Sequence, residues 1–380
     1  MPMEARFGAP AYGPHTELWL IEHGDLYVHI QGQDASMRFL VDCGSIERVS
    51  SVWYTLIKAR RDRYGYLGHL SGAHGHWFGK LEVPIAGDPY YHYLLFRIIH
   101  GTRAPIPQTL TQWELYDLLV ITEEYQIFPS LLRPWVASWL EPYRAWPGPG
   151  PHEYTVDFLQ GLYSRVWIAW VLGETEVFRQ IVELLVREVS PGRIRGFLVS
   201  GIPLIMSPEI PDLFRYMEDA RDTYVARLLY VFRKEIKEDR EERFCSLQGR
   251  PDAEKSTCDL IVTRSIMRGY QDQVVAPAQG RERKESVKAT YERLKGIQIV
   301  NFSSLMGDGP RTTPDGPTHD ECCNPTARLH NEMDEVLSEP VLSYEVYRGH
   351  LEERAKATGL DQSEEKGTKR KFEDQDESDS

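Results

Sequence analysis

Asp25-Leu-Tyr-Val-His-Ile30 and Met37-Arg-Phe-Leu-Val41 are the two stretches that decide the fold of the N-terminal region. In each of them an apolar residue occupies every second position, which is the period-two pattern of a half-buried β-strand. The stretch between them, from Gly32 to Ser36, has the glycine and polar residues of a turn. The sequence therefore predicts a β-hairpin near the start of the chain.

Helical periodicity replaces this alternation after the hairpin. Apolar residues recur three and four positions apart on one predicted helix face, formed by Val49, Val52, Trp53, Leu56 and Ile57. A third strand is predicted over 81–85, where the alternation returns. Three helices are predicted after it, and the second begins at a capping box formed by Thr111 and Glu114. This succession of strands and helices indicates the α+β class.

Composition excludes several classes of function. The chain has 380 residues, of which 41% are apolar and 27% are charged, as in ordinary globular proteins. Its net charge of −13 opposes direct binding to nucleic acid or to anionic lipid surfaces. No apolar run approaches the roughly 18 residues of a membrane-spanning helix, so we expect no membrane partner. Five cysteines, an odd number, favour a reducing compartment over a disulfide framework.

Proline, glycine and charge mark the expected organisation of the chain. The run Trp146-Pro-Gly-Pro-Gly-Pro151 has the composition of a stiff linker between domains. Strand patterns are absent after it, whereas helical patterns continue. We expect a flexible arm over 1–16, a compact domain over 17–145, a mainly helical extension over 152–306, a linker over 307–330, a helix over 331–356 and a disordered acidic tail over 357–380.

The order strand, strand, helix, strand, helix and paired helices, together with several short strings, resembles the BTB/POZ domain in the divergent form common in filamentous fungi. The resemblance covers about residues 17–145, and the order and spacing of the strings are more specific than any one of them. The strings are Gly24-Asp25-Leu-Tyr-Val, Phe39-Leu-Val41 leading to Ser51-Val52-Trp53, Leu81-Glu-Val-Pro-Ile85, Leu95-Phe-Arg-Ile-Ile-His100, Leu115-Tyr-Asp-Leu118, and Leu132-Arg-Pro-Trp135 with Trp139-Leu140.

The resemblance implies a BTB/POZ-like fold of short strands packed with helices. It implies a core formed by Phe39, Val41, Val52, Trp53, Leu56, Leu94, Ile98 and Trp135. Residues 162–190 are similar to the helical extension that follows the domain in these fungal proteins. The chain departs from the family at Asp42, where the family has a histidine that would pair with Asp25. We expect the two carboxyl groups either to diverge or to share a proton, because unpaired buried charge is costly.

Protein–protein interaction is the function that the resemblance implies. The expected partner is a second copy, another BTB protein, or a cullin-type ubiquitin ligase, which makes a ligase adaptor the alternative function. The stretch before the hairpin is unusually apolar for a region near a terminus, and aromatic side chains are effective interface anchors. We predict an interface at Leu18, Trp19 and Ile21, with packing against their own domain as the open alternative.

Catalytic motifs are absent from the sequence, so we expect no enzyme, no cofactor and no metal. There is no Gly-x-Ser-x-Gly elbow and no phosphate-binding loop. A metal-dependent enzyme is the weaker alternative, and its first candidate ligands are His69, His74 and His76 in a glycine-rich loop. The second set lacks the close Cys-x₂₋₄-Cys spacing of zinc modules and favours buried or incidental thiols. It comprises Cys245, Cys258, His319, Cys322, Cys323 and His330.

A basic cluster lies in the acidic C-terminal segment. It consists of Lys366, Lys369, Arg370 and Lys371, followed at once by acidic residues. An exposed basic run of this kind can be recognised by a nuclear import receptor, although chance gives the same pattern in polar tails. We expect the protein in the nucleus, with the cytoplasm as the alternative.

Overall fold

The computed structural model describes residues 15–32, 36–64, 81–101, 105–144, 155–190, 210–236, 244–245, 250–275, 285–300, 302, 305, 323–340 and 345–361. Within these ranges the protein is a mixed α+β structure with one four-stranded sheet and twelve α-helices. None of these helices combines the length and the apolar character needed to cross a bilayer. The chain forms two compact units. Unit 1 consists of Met1–Arg179, Met206–Ile210 and Glu345–Ser380, and unit 2 consists of Gln180–Ile205 and Pro211–Tyr344.

Unit 1 begins with the sheet and the helices around it. The strands are β1 (His15–Trp19), β2 (Leu26–Gln31), β3 (Ser36–Val41) and β4 (Leu81–Ala86). The helices are α1 (Cys43–Val49), α2 (Ser51–Tyr64), α3 (Pro89–His100), α4 (Gln112–Glu124), α5 (Arg133–Arg144) and α6 (Val156–Leu172). Helix α7 (Thr175–Glu188) contains the division between the two units.

The sheet has the order β1-β3-β2-β4. Strands β2 and β3 pair in antiparallel fashion, which confirms the predicted hairpin. Strand β1 pairs in parallel with β3, and β4 pairs in parallel with β2. The sequence prediction did not include β1, because its five residues do not alternate apolar with polar side chains.

Aromatic side chains fill the core between the sheet, α2 and α3. Phe39 lies with its ring centroid 5.6 Å from that of Phe96, which in turn lies 5.9 Å from the ring of Trp53. Both pairs meet edge to face, the arrangement that the ring quadrupoles favour. All three side chains are fully buried. The core of unit 1 therefore depends on shape-matched packing of large rings.

Some residues of the expected core are not fully buried. Phe39, Val41, Trp53, Leu94 and Ile98 are buried, and Val52 is half-buried. Leu56 is 38% exposed, so its assignment to the core is wrong. The backbone is extended at Ser50, where it forms a bridge with Ile127 and interrupts the predicted helix. Helix α2 then turns Trp53 and Ile57 inward, which leaves Leu56 off the buried face.

Trp135 is also less buried than the resemblance implied. It is half-buried at the start of α5, where its ring stacks on that of Trp139 with centroids 6.1 Å apart. Trp139 is fully buried, and its indole nitrogen donates to the Pro107 carbonyl at 2.8 Å. Trp139 is therefore the core residue, and Trp135 covers it.

The boundary expected after residue 145 does not divide the two units. Helix α6 packs against α4, and the Gln112 side chain connects them. Its Nε2 donates to the Gly161 carbonyl at 2.6 Å, and its Oε1 accepts from Arg165 Nε at 2.8 Å. The first helix of the expected extension thus belongs to the same compact unit as the sheet.

Unit 2 is helical in its described part. It contains α8 (Leu213–Ile236), α9 (Asp252–Tyr270), α10 (Val287–Lys295) and α11 (Thr326–Ser338). The predicted helix over 331–356 is in fact two helices, because Glu339 is extended and Pro340 follows it. Helix α11 also begins inside the expected linker, so residues 326–330 are helical.

The last helix, α12 (Glu345–Thr358), belongs to unit 1. Arg354 makes two hydrogen bonds to Glu123, at 2.8 and 2.9 Å, and Thr358 Oγ1 donates to the Leu172 carbonyl at 2.7 Å. Gly359 ends the helix in the left-handed region, at φ 79°, and Leu360 is buried. The chain therefore stays packed beyond residue 357, where a disordered tail was expected, and residues 362–380 lie outside the described residues.

Candidate functional site

The predicted interface residues lie at one edge of the sheet. Strand β1 has β3 on one side, and no other strand of the described residues pairs with it. Its backbone N–H and C=O groups on the outer side can therefore accept an added strand. Trp19, the last residue of β1, is 67% exposed, the second highest exposure among the large apolar side chains of the described residues.

The register separates the three predicted residues. Leu18 pairs with the buried Phe39 and so lies on the core side of the sheet, where it is half-buried. Trp19 lies on the opposite side, and Ile21, beyond the strand, is half-buried. Trp19 is thus the residue of the three that is available to a partner, whereas Leu18 also serves its own domain.

Trp19 belongs to a connected group on the outer side of the sheet, which we call the outer-face patch: Glu17, Trp19, Tyr27 and Arg38. Glu17 Oε1 accepts from Trp19 Nε1 at 2.8 Å and from the Tyr27 hydroxyl at 3.0 Å. The Arg38 guanidinium lies 4.2 Å from the centre of the Tyr27 ring. Desolvation, and then the hydrogen bond to Glu17, raise the pKa of Tyr27. The patch holds the indole in place beside the open edge.

The other edge of the sheet is less suited to strand addition. Strand β4 contains Pro84, which has no backbone N–H and which natural edge strands use to prevent pairing. Strand β1 contains neither proline nor glycine. The two edges of one sheet therefore differ, and β1 is the edge that can bind a further strand with a full set of donors.

The hairpin is held against α1 by two separate carboxylates. Asp25 Oδ1 accepts from the Cys43 N–H at 2.8 Å, and Asp42 Oδ2 accepts from the Ser45 N–H at 2.7 Å. A hydrogen bond with the Ser45 side chain lowers the pKa of Asp42 most, and the bond from the Ser45 backbone N–H lowers it further. The two groups thus diverge, one of the two arrangements expected. A histidine is nevertheless close by, because His100 Nε2 accepts from the Asp42 N–H at 3.0 Å.

A second group of functional side chains lies in unit 2. Cys245, Cys258 and Cys323, which we call the thiol cluster, have sulfur atoms that all lie within 4.8 Å of one another. At most 5% of each residue is exposed. They form a separate small core, and the half-buried ring of Phe302 packs against it. Three segments distant in sequence therefore bring three soft donor atoms to one point.

Local structure positions each of these thiols. Cys258 lies in the second turn of α9, and the next residue, Asp259, accepts from the Cys245 N–H at 2.8 Å. Cys323 lies just before α11, where the Asn324 side chain accepts from the Thr326 N–H at 3.0 Å. The hydrogen bond with Cys323, and then burial, raise the pKa of the Cys258 thiol. Cys258 is therefore held as a neutral thiol.

The remaining predicted site residues are separate from these two groups. His330 is half-buried on α11 and is not part of the thiol cluster. Several predictions fall outside the described residues: the histidines His69, His74, His76 and His319, the cysteine Cys322, and the basic cluster Lys366, Lys369, Arg370 and Lys371.

The sequence analysis named all three cysteines among its candidate metal ligands but favoured buried or incidental thiols, because neither the 245–258 nor the 258–323 spacing has the short repeat of a metal module. The fold brings them together, since α9 and α11 both pack against α8 and Asp259 holds the Cys245 backbone. Comparison with protein-family models, with curated proteins and with solved structures finds no match for this chain.

Proposed function

We propose that this protein is a protein–protein interaction scaffold built on a BTB/POZ-like domain, and that it self-associates by pairing of β1 with β1 of a second copy. The observation that carries the proposal is the open edge of β1 beside the exposed Trp19. Strand addition supplies backbone hydrogen bonds, and neighbouring side chains supply specificity.

The element order supports the BTB/POZ-like assignment. Hairpin β2-β3, the pair α1 and α2, strand β4 beside β2, and then α3 to α5 follow one another as the resemblance requires. Gly24, from the first matching string, packs so closely that an added Cβ would lie 2.8 Å from the Val41 carbonyl oxygen. This close packing explains why the fold has glycine at position 24.

The sequence of β1 favours a second copy as the partner. In a two-fold antiparallel pairing centred on Leu18, the Leu18 residues of the two chains face each other, and Trp19 of each chain faces Glu17 of the other. The indole–carboxylate hydrogen bond, present at 2.8 Å within one chain, can then form between chains. Centring the pair on Glu17 would place two carboxylates opposite each other, which is unfavourable. The strand is therefore self-complementary in one register, as a two-fold interface requires.

The Trp19→Asp substitution tests this proposal. It adds a second negative charge beside Glu17 and removes the aromatic anchor, so we expect the dimer to dissociate at least tenfold more readily. Sedimentation velocity over a range of protein concentrations measures this change. Circular dichroism should stay unchanged, because Trp19 is outside the core of unit 1.

The matched control is Trp113→Asp. Trp113 is 47% exposed on α4, away from the sheet edge, so its replacement should leave self-association unchanged. Equal loss in both variants would show a general effect of lost apolar surface. A chain that is monomeric at every concentration would contradict the proposal, and recovery of a cullin with that monomer would favour the ligase adaptor.

A further inference from the structure

We propose that the thiol cluster of unit 2 binds a zinc ion through the sulfur atoms of Cys245, Cys258 and Cys323. This site is independent of the proposed self-association. It would be a structural site, which holds two helices and the segment at Cys245 in one arrangement.

The donor set is suited to zinc. Thiolates are soft ligands that select zinc or copper(I) over magnesium and calcium. In a tetrahedral zinc–thiolate site with zinc–sulfur distances near 2.3 Å, neighbouring sulfur atoms are about 3.8 Å apart. The present separations, all within 4.8 Å, are compatible with that geometry after a movement of the side chains alone. The three sulfur atoms supply three of the four ligands of such a site.

Simple packing is a weaker explanation of the same geometry. Four cysteines lie in the described residues, and three of them form a core of their own in which, among those residues, only the half-buried Phe302 also takes part. Where apolar filling is the only requirement, cores use leucine, isoleucine and valine, which bury more surface than cysteine. A metal site requires its sulfur ligands to converge on one point, whereas apolar packing does not require this.

Binding would change the protonation of the cluster. Zinc coordinates thiolates, so the ion replaces the thiol protons, which pass to the solvent. Burial opposes the charge on free thiolates, and the divalent cation offsets that charge at the site. Asp259 would help to hold the site in place, because its carboxylate accepts from the Cys245 backbone N–H at 2.8 Å.

The test is the metal content of the full-length protein, produced without a histidine tag and measured by plasma mass spectrometry. We expect about one zinc per chain, as in other structural sites. The triple variant Cys245→Ser, Cys258→Ser, Cys323→Ser should lose it. Cobalt substitution should give thiolate-to-cobalt charge-transfer absorption in the wild type and not in the triple variant.

Cys43→Ser is the matched control, because Cys43 is equally buried and lies in unit 1. It should retain its zinc. If the triple variant does not fold, the wild type still provides a test: a chelator should remove the metal and lower the melting temperature, and added zinc should restore both.

Three results would overturn the inference. The first is zinc-free wild-type protein that binds none on titration. The second is a disulfide within the cluster, found as a loss of two hydrogen masses in the mass spectrum of the unreduced protein. Zinc that persists in the triple variant would assign the metal to other ligands and would equally contradict the site.

Discussion

In unit 1, large aromatic side chains fill the space between a sheet and its helices, whereas in unit 2 charged pairs and thiols connect helices that are distant in sequence. Arg328 of α11 contacts Glu235 of α8 at 2.8 Å, and the Glu235 side chain is only 5% exposed. Arg221 is 5% exposed and donates twice to the Glu285 carbonyl, at 2.9 and 2.7 Å.

This difference shows two ways of specifying a fold. Apolar burial is non-directional and tolerant of small shifts, so unit 1 depends on total volume and shape. Buried polar contacts require strict geometry. Removing one partner leaves the other buried and unpaired, which costs more free energy than replacing both partners with apolar groups. Unit 2 should therefore be sensitive to substitution of the buried Arg221 and Glu235.

The largest effect is expected from Trp53→Ala in unit 1. Trp53 is fully buried and contacts both Phe96 and Tyr125, so its removal should lower the free energy of unfolding by about 3–5 kcal/mol. Urea denaturation measures this change. The control is Tyr54→Ala, next in sequence and 50% exposed, for which we expect about 0.5 kcal/mol or less. Similar losses in both variants would refute the described core.

A somewhat smaller effect is expected from Arg221→Met in unit 2. Methionine keeps much of the volume but leaves the Glu285 carbonyl without these donors, at a cost of about 1–3 kcal/mol. Arg268→Met is the control, since the Arg268 side chain is 87% exposed and its ion pair is long, at 3.8 Å. A stabilised Arg221→Met protein would show that unit 2 depends on apolar packing as unit 1 does.

Acid should weaken unit 1 selectively. Burial lowers the pKa of His92, His100 and His350, and all three lie in unit 1. Below their ordinary value of about 6.5 the unfolded chain takes up protons that the folded chain does not. Stability should therefore be full above that value and fall as the pH decreases through it.

This acid effect can be assigned by substitution. His92 contacts the Asp88 carbonyl at 2.7 Å and the Tyr125 hydroxyl at 3.0 Å, and His92→Gln has no group that titrates in this range. Melting temperatures at pH 7.5 and pH 5.5 should differ less in this variant than in the wild type. If the difference in melting temperature is the same in the variant and the wild type, His92 does not contribute to the acid effect.

Sequence patterns predicted the parts of the fold that depend on neighbouring residues. Alternation in β2 and β3 and the capping box at Thr111 are local features, and the structure contains both. The interruption at Ser50 was not predicted, because its partner Ile127 lies 77 positions away. Pro340 is a local signal for the end of a helix, but the helical pattern on both sides of it led to the prediction of one continuous helix.

The candidate sites differ in the same way. Trp19 could be predicted because its apolar neighbours form one stretch of sequence. The sequence names the three cysteines of the thiol cluster as candidates, but their convergence could not be predicted, because it depends on the packing of α9 and α11 against α8. Position 42 shows an intermediate case: the sequence predicted that Asp25 and Asp42 would diverge or share a proton, and the backbone N–H groups of Cys43 and Ser45 determine that they diverge.

Hydrogen exchange at two protein concentrations tests the central claim most directly. Raising the concentration should slow exchange in the peptide that covers β1, because a second copy would occupy its outer N–H groups. The peptide that covers β4 is the internal control and should be unaffected. Equal exchange of the β1 peptide at low and high concentration would contradict self-association through this edge.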